Sequence, residues 1–348
     1  MTLTSEITKI SREFDGEAAV YVKDLATGVR CTHNGATPFY LASVVKVPVM
    51  ITAFQLVDAG SLSLDEELEV TKDDLRDGSH EVRQAGRFAM RELIRLMMTH
   101  SDNGATDLVL KRIGIESVNA MLGRAGIDGF RELTTMLEVR RRVFGGVDSR
   151  GATLSPAQYY ELWAARSMTR RGRLLGEYVA AGRAFRSREI EAAFDAYYAT
   201  EANSAPVEAV GALLEALVSG RLASPASTAV MLEIMKQCET GRRRLTSGLQ
   251  AAVPLAHKTG TQHRRACDAG ILYVQPDRPV VVVVCTKSFV ELGDAERVMA
   301  KVGKKVYDLL ATAAAAAAPA PTSPMTAPVA TETSAEAAAS PPSRRAGD

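Results

Sequence analysis

Strand-forming segments stand at both ends of the 348-residue chain, and helical periodicity fills the stretch between them. Near the start, Ala18-Ala19-Val20-Tyr21-Val22 is a short β-favouring run after Gly16. Asp24-Leu25-Ala26-Thr27-Gly28 reads as a turn and Val29 to His33 as a returning strand, which together make a hairpin. Near the end, Val253 to Lys258, Ala266 to Val274 and Pro279 to Thr286 read as three strands joined by short turns. A helix over Glu296 to Leu310 closes the pattern, with apolar positions at Val298, Val302, Val306 and Leu309. From Ser43 to about Lys236 apolar residues recur at helical spacing, most clearly over Val47 to Ala59, Met90 to Thr99 and Thr106 to Ile113. Strands at both termini imply one split domain of the α+β class. The two ends supply one sheet, and the helices are inserted between its halves.

Composition limits the function classes. Lys+Arg is 42 against 41 Asp+Glu, a net charge of +1, so no global field draws the chain to nucleic acid or an anionic membrane. Apolar residues at 46% can build a core, whereas aromatics at 5% are too few for a base-stacking platform. No apolar run approaches the roughly 20 residues of a membrane span. Met1 to Glu6 has neither a basic nor an apolar leader region, so as written the chain is expected to be cytoplasmic. Cys31, Cys238, Cys267 and Cys285 form no CxxC pair. That spacing argues against a disulfide framework or a thiolate zinc site and in favour of small buried thiols. Eleven arginines against three acidic residues lie between Arg140 and Arg188. Interleaved Leu174, Leu175, Tyr178 and Val179 make this a solvated helical face rather than a nucleic-acid patch. From Thr312 to Asp348 the chain is Ala, Pro, Ser and Thr with six of its 14 prolines, a composition that predicts a disordered tail.

Three motifs carry chemistry. In Ser43-Val44-Val45-Lys46, serine and lysine three apart share one helix face, and a desolvated lysine can take the proton of a weakly nucleophilic hydroxyl. In Ser101-Asp102-Asn103, Ser101 offers a hydroxyl to relay a proton, and Asn103 offers an amide to a substrate carbonyl or to a lysine. In Lys258-Thr259-Gly260-Thr261, the lysine brings positive charge, Thr259 can bond a carboxylate and Gly260 permits close backbone approach. The N–H groups of Thr261 and Ser43 can form an oxyanion hole. Each motif alone also reads as a cap or a turn.

Together and in this order they are the SxxK, SDN and KTG set, and the chain resembles the penicillin-recognising serine hydrolases, closest to class A β-lactamase. The resemblance runs from about Ala18 to Leu310. It implies an antiparallel sheet from both chain ends with flanking helices, plus a helical lobe at about 62–220 within a catalytic domain at 1–311. It implies Ser43 as acylated nucleophile, Lys46 as its base and Ser101 as proton relay toward the lactam nitrogen. Lys258, Thr259, Gly260 and Thr261 would bind the substrate carboxylate and carbonyl, and Asn103 the side-chain amide. The implied partner is a small β-lactam or related acyl substrate, with no metal or cofactor, no nucleic acid, no membrane and a monomeric enzyme. A related esterase, amidase or D,D-peptidase is the alternative reading, and a non-catalytic penicillin-binding-like module a third.

Three departures stand out. The family's Glu-x-x-Leu-Asn loop, whose glutamate activates the deacylating water, is absent. Glu138 is the only nearby carboxylate, its spacing is wrong, and it is expected to be a solvated charge beside Arg141 and Arg142. Extra length is placed at Met168 to Pro206, where it is expected to be able to lie over the cleft. The family normally acts outside the cytoplasm, which would make the chain periplasmic or secreted if its true start lies upstream.

Overall fold

The computed structural model describes residues 2–317, apart from 79–81, 83, 166 and 251–252, with side chains to Ala311. Its main sheet has five antiparallel strands in the order β2-β1-β9-β8-β7, drawn from both chain ends as the sequence predicts. These are β1 (Glu17–Asp24), β2 (Arg30–His33), β7 (Leu255–Gln262), β8 (Arg265–Gln275) and β9 (Arg278–Lys287). Two small antiparallel pairs flank it: β3 (Pro38–Tyr40) with β6 (Ser204–Pro206), and β4 (Glu67–Val70) with β5 (Gly86–Ala89).

The valine run of β9 is buried on both faces, and strand alternation divides it. Val280, Val282 and Val284 face a core built with Ile7 and Ile10 of helix Leu3–Arg12 and with Val298, Val302 and Val306 of helix Leu292–Ala317. Val281 and Val283 face the larger core, which takes in helices Lys46–Asp58, Met90–Thr99, Asn103–Ile113 and Val207–Val218. Helix Lys46–Asp58 is buried without interruption from Lys46 to Phe54, as befits a central helix apolar on every side. No helix among the described residues is long and apolar enough to cross a membrane.

Two expectations change. Cys267 and Cys285 are disulfide-bonded, not free thiols. They sit directly opposite each other in the β8–β9 register with Cα atoms 4.1 Å apart, a proximity that their 18-residue separation in sequence does not reveal. The arginine-rich segment is also not uniformly solvated. Arg140 is only 5% exposed, and Arg171 donates to the carbonyls of Leu162, Trp163 and Ala165. The tail expectation falls mostly on 318–348, outside the described residues. Helix Leu292–Ala317 takes in 312–317, the first residues of the Thr312 to Asp348 segment.

Candidate active site

Ser43 lies in a tight 3-10 turn, Ala42–Val45, that leads into helix Lys46–Asp58, rather than in the first α-helical turn. The turn is entered through Ala42 at φ 47°, a left-handed conformation that a residue with a Cβ adopts at a cost. Strand β7 is docked against it. A Cβ on Gly260 would stand 2.2 Å from the Leu41 carbonyl oxygen and 3.0 Å from the Ser43 nitrogen. Glycine is therefore required there for the approach of the nucleophile's own backbone, a tighter constraint than substrate access.

Ser101 is the second strained residue, at φ 59°. Asp102 fixes the junction: its carboxylate caps helix Asn103–Ile113 through the Ala105 N–H at 2.8 Å and also accepts from the Val82 N–H. This geometry turns Ser101 and Asn103 toward Lys46. The Lys46 ammonium is fully buried and donates to the Ser101 carbonyl at 2.6 Å, to Asn103 Oδ1 at 2.7 Å and to Ser101 Oγ at 3.3 Å. Desolvation, then the charge of Lys258, hold the Lys46 amine well below the ordinary lysine range, with Asp102 and Asp107 opposing. The Asn103 amide is committed at both ends, because its Nδ2 donates to the Asp77 carbonyl at 2.8 Å.

Lys258 is also fully buried, donating to the Thr259 carbonyl at 2.9 Å. Burial brings it down to about 8, with Arg244 in the same direction and Cys238 against. Thr259 Oγ1 lies 2.5 Å from Thr240 Oγ1, and Thr261 Oγ1 accepts from Arg244 at 2.5 Å. Ser43, Ser101, Asn103, Thr259 and Thr261 line one cavity of about 240 Å³. The two lysines sit behind its wall, so the three motifs, far apart in sequence, converge.

The cavity also holds residues that the motifs do not reveal. Arg244 is 3% exposed and donates to the carbonyls of Gly260 on β7 and Cys267 on β8, which locks the loop before the 3-10 turn Leu245–Gly248 onto these two strands. Arg140 and Trp163 form another wall. The Arg140 guanidinium makes two bonds to Asp77, at 2.9 and 2.5 Å, and stacks 3.7 Å from the Trp163 ring. Helices Met168–Tyr178 and Ser187–Ala199 brace this wall from outside. Arg171 lies over Trp163, and Phe194 meets it edge-on with centroids 6.2 Å apart.

Glu138 does not line this cavity. It sits in the first turn of helix Met136–Val147, paired with Arg142 at 2.9 Å and one-third exposed, as the solvated-charge reading expects. No carboxylate lines the cavity among the described residues, nor does any metal-binding cluster of His, Cys, Asp and Glu occur among them.

This fold and convergence of SxxK, SDN and KTG define a penicillin-recognising serine hydrolase architecture. The chain belongs to the β-lactamase enzyme family, whose model matches residues 2–310. A curated relative, a β-lactamase of Rhodobacter capsulatus, is 29% identical over 177 residues, which cover 50% of this chain and 57% of that protein's length. Among solved structures, a β-lactamase from Chitinophaga pinensis superposes with a TM-score of 0.68 at 22% identity, covering 88% of this chain and 99% of that one. An ancestral class A β-lactamase gives 0.66 at 23% identity over 88% and 100%, and PBP-A gives 0.65 at 20% over 89% and 96%. At such identities the structural likeness establishes the β-lactamase/penicillin-binding-protein fold.

Proposed function

We propose that the chain is a class A-like serine hydrolase that opens β-lactams through an acyl-Ser43 intermediate. The observation that carries this reading is the buried Lys46 amine, held below its ordinary pKa between Ser101 and Asn103 at the edge of the cavity that Ser43 lines. A neutral amine there can accept the Ser43 proton as Oγ attacks the lactam carbonyl. The N–H groups of Ser43 and Thr261, brought close by Gly260, stabilise the oxyanion. Ser101, touching Lys46, returns the proton to the departing nitrogen. Lys258, Thr259 and Thr261 receive the substrate carboxylate, with Arg244 fixing the Thr261 hydroxyl. Asn103 orients Lys46 in this scheme and reaches substrate only by giving up its bond to Asp77.

A second reading is favoured by the Arg140–Trp163 wall. A guanidinium stands on the cavity wall and Glu138 stands outside it. Acylation would then outrun hydrolysis, as suits a D,D-peptidase or an acyl transferase with an amine or alcohol acceptor. Stopped-flow mixing with a chromogenic cephalosporin separates the two. A burst followed by sustained turnover supports the hydrolase, and a stoichiometric burst with little turnover supports the second reading. The absence of any burst with all tested β-lactams would overturn both.

A further inference from the structure

We propose that the cavity between the starts of helices Met168–Tyr178 and Ser187–Ala199 is a binding site for a small ligand that carries two or more phosphate groups. It is separate from the serine cavity, with which it shares no lining residue. The inference does not rest on the proposed function. It starts from the arginine-rich stretch, which the fold sorts into distinct sets. Arg140 and Arg171 are committed to the Trp163 wall. Arg142, Arg150 and Arg183 are paired with Glu138, Asp148 and Glu189 at 2.9, 2.8 and 2.7 Å. Arg170 and Arg186 make no ion pair among the described residues, and Arg173 reaches only Glu177, at 3.8 Å.

Arg170, Arg173 and Arg186 line one cavity of about 590 Å³, together with Ser167, Thr169 and Ser187. No carboxylate lines it among the described residues. Glu189, in the first turn of helix Ser187–Ala199, is held by Arg183 and by the Arg186 N–H at 2.8 Å. Three guanidiniums around a concave site without an acidic residue concentrate positive potential there. Guanidiniums also match phosphate oxygens bidentately.

The backbone adds to this charge. Ser167 caps the 11-residue helix Met168–Tyr178, Ser187 opens the 13-residue helix Ser187–Ala199, and Thr169 Oγ1 lies 3.4 Å from Ser187 Oγ. The first N–H groups of a helix have no partner inside it, so two partial positive charges meet at the cavity. The frame is also fixed. The Phe185 N–H donates to the Gly172 carbonyl at 3.0 Å, and a Cβ on Gly172 would stand 2.0 Å from the Phe185 carbonyl oxygen. Glycine there lets the segment with Arg186 lie against the helix that carries Arg170 and Arg173. A preformed frame lowers the ordering cost of binding. One phosphate group carries a charge of at most about −2, which leaves three guanidiniums incompletely neutralised, so two or more phosphate groups suit the site. Beyond Arg173 the neighbouring cavity is lined by Glu177 and by the already paired Arg183. The unpaired basic surface ends there, which favours a small oligoanion over a long polymer.

The test uses the full chain, with sodium tripolyphosphate as the probe. Isothermal titration calorimetry at near-physiological salt should show saturable binding of one tripolyphosphate per chain, at least about tenfold tighter than orthophosphate. Arg170→Gln combined with Arg186→Gln should weaken that binding at least about tenfold. A charge-matched control, Arg87→Gln combined with Arg297→Gln, removes two exposed arginines elsewhere and should stay within about twofold of wild type. Absence of saturable binding by the wild type overturns the proposal whether or not the variants fold. Equal losses in the two double variants would trace the binding to net charge and overturn the site. Orthophosphate binding as tight as that of tripolyphosphate overturns the assignment to several phosphate groups. A single-stranded oligonucleotide or an anionic lipid vesicle that binds through Arg170 and Arg186 where tripolyphosphate does not overturns the small ligand in favour of a macromolecular one.

Discussion

Replacing Asp77 by leucine should destabilise the protein sharply, and replacing Arg140 by methionine in the same chain should restore most of the loss. Arg140 and Asp77 are 5% and 4% exposed, and two charge-assisted bonds join them. The Asp77→Leu change keeps the approximate shape and leaves the guanidinium uncompensated at a nearly buried position. Breaking one side of such a pair costs about 3–5 kcal/mol, whereas an apolar replacement of both sides is often close to neutral. At about 2.1 cal/mol/K per residue, a domain of this size unfolds with an entropy of about 0.65 kcal/mol/K, so the single variant should melt about 5–8 °C lower. Differential scanning calorimetry of the wild type, both singles and the double variant closes the cycle. The cavity provides a second readout. Arg140 is one of the charges that hold Lys46 down, so its removal should move the acid limb of the acylation profile to higher pH. A Tm for Asp77→Leu within about 1 °C of wild type would refute the claim that this wall is a buried ion pair.

Three further outcomes follow from the site. Ser43→Ala should form no adduct with penicillin by intact mass while its circular dichroism stays unchanged, because Ser43 lines the cavity and alanine keeps its Cβ in the turn Ala42–Val45. Binding of an anionic cephalosporin should weaken above pH about 8 as Lys258 loses its proton, and Lys258→Arg should remove that limb because a guanidinium stays charged; KM measured from pH 6 to 10 checks both. Glu138→Gln should leave turnover within about twofold of wild type, since an exposed helix pair with Arg142 contributes little, and a trapped acyl-enzyme in this variant would overturn that assignment.

Periodicity made most of the scaffold legible. The hairpin of β1 and β2, the three late strands and helix Met90–Thr99 follow from local alternation or 3.6-residue repeats. Helix Leu3–Arg12 escapes that reading, although Thr2 caps it through the Ser5 N–H and Ile7 and Ile10 are its buried face. The three motifs were legible because their order fixes their meaning. Arg140 and Arg244 were not, because their roles depend on partners distant in sequence: Asp77 lies 63 residues from Arg140, and the Cys267 carbonyl lies 23 from Arg244. Charge counting treats every arginine in the 140–188 stretch alike, yet Arg140 is nearly sealed from solvent while Arg173 is largely exposed. The Cys267–Cys285 bond likewise depends on strand register, which spacing alone does not specify.

The central claim is that Ser43 is the residue acylated, and peptide mapping after brief exposure to benzylpenicillin tests it most directly. Trypsin releases residues 31–46 as one peptide carrying Ser43 as its only serine. The account predicts that this peptide alone gains the mass of one ring-opened penicillin, and that the fragment ions place it on Ser43. A modification on any other peptide, or an unmodified digest from protein that nevertheless consumes the antibiotic, would contradict it.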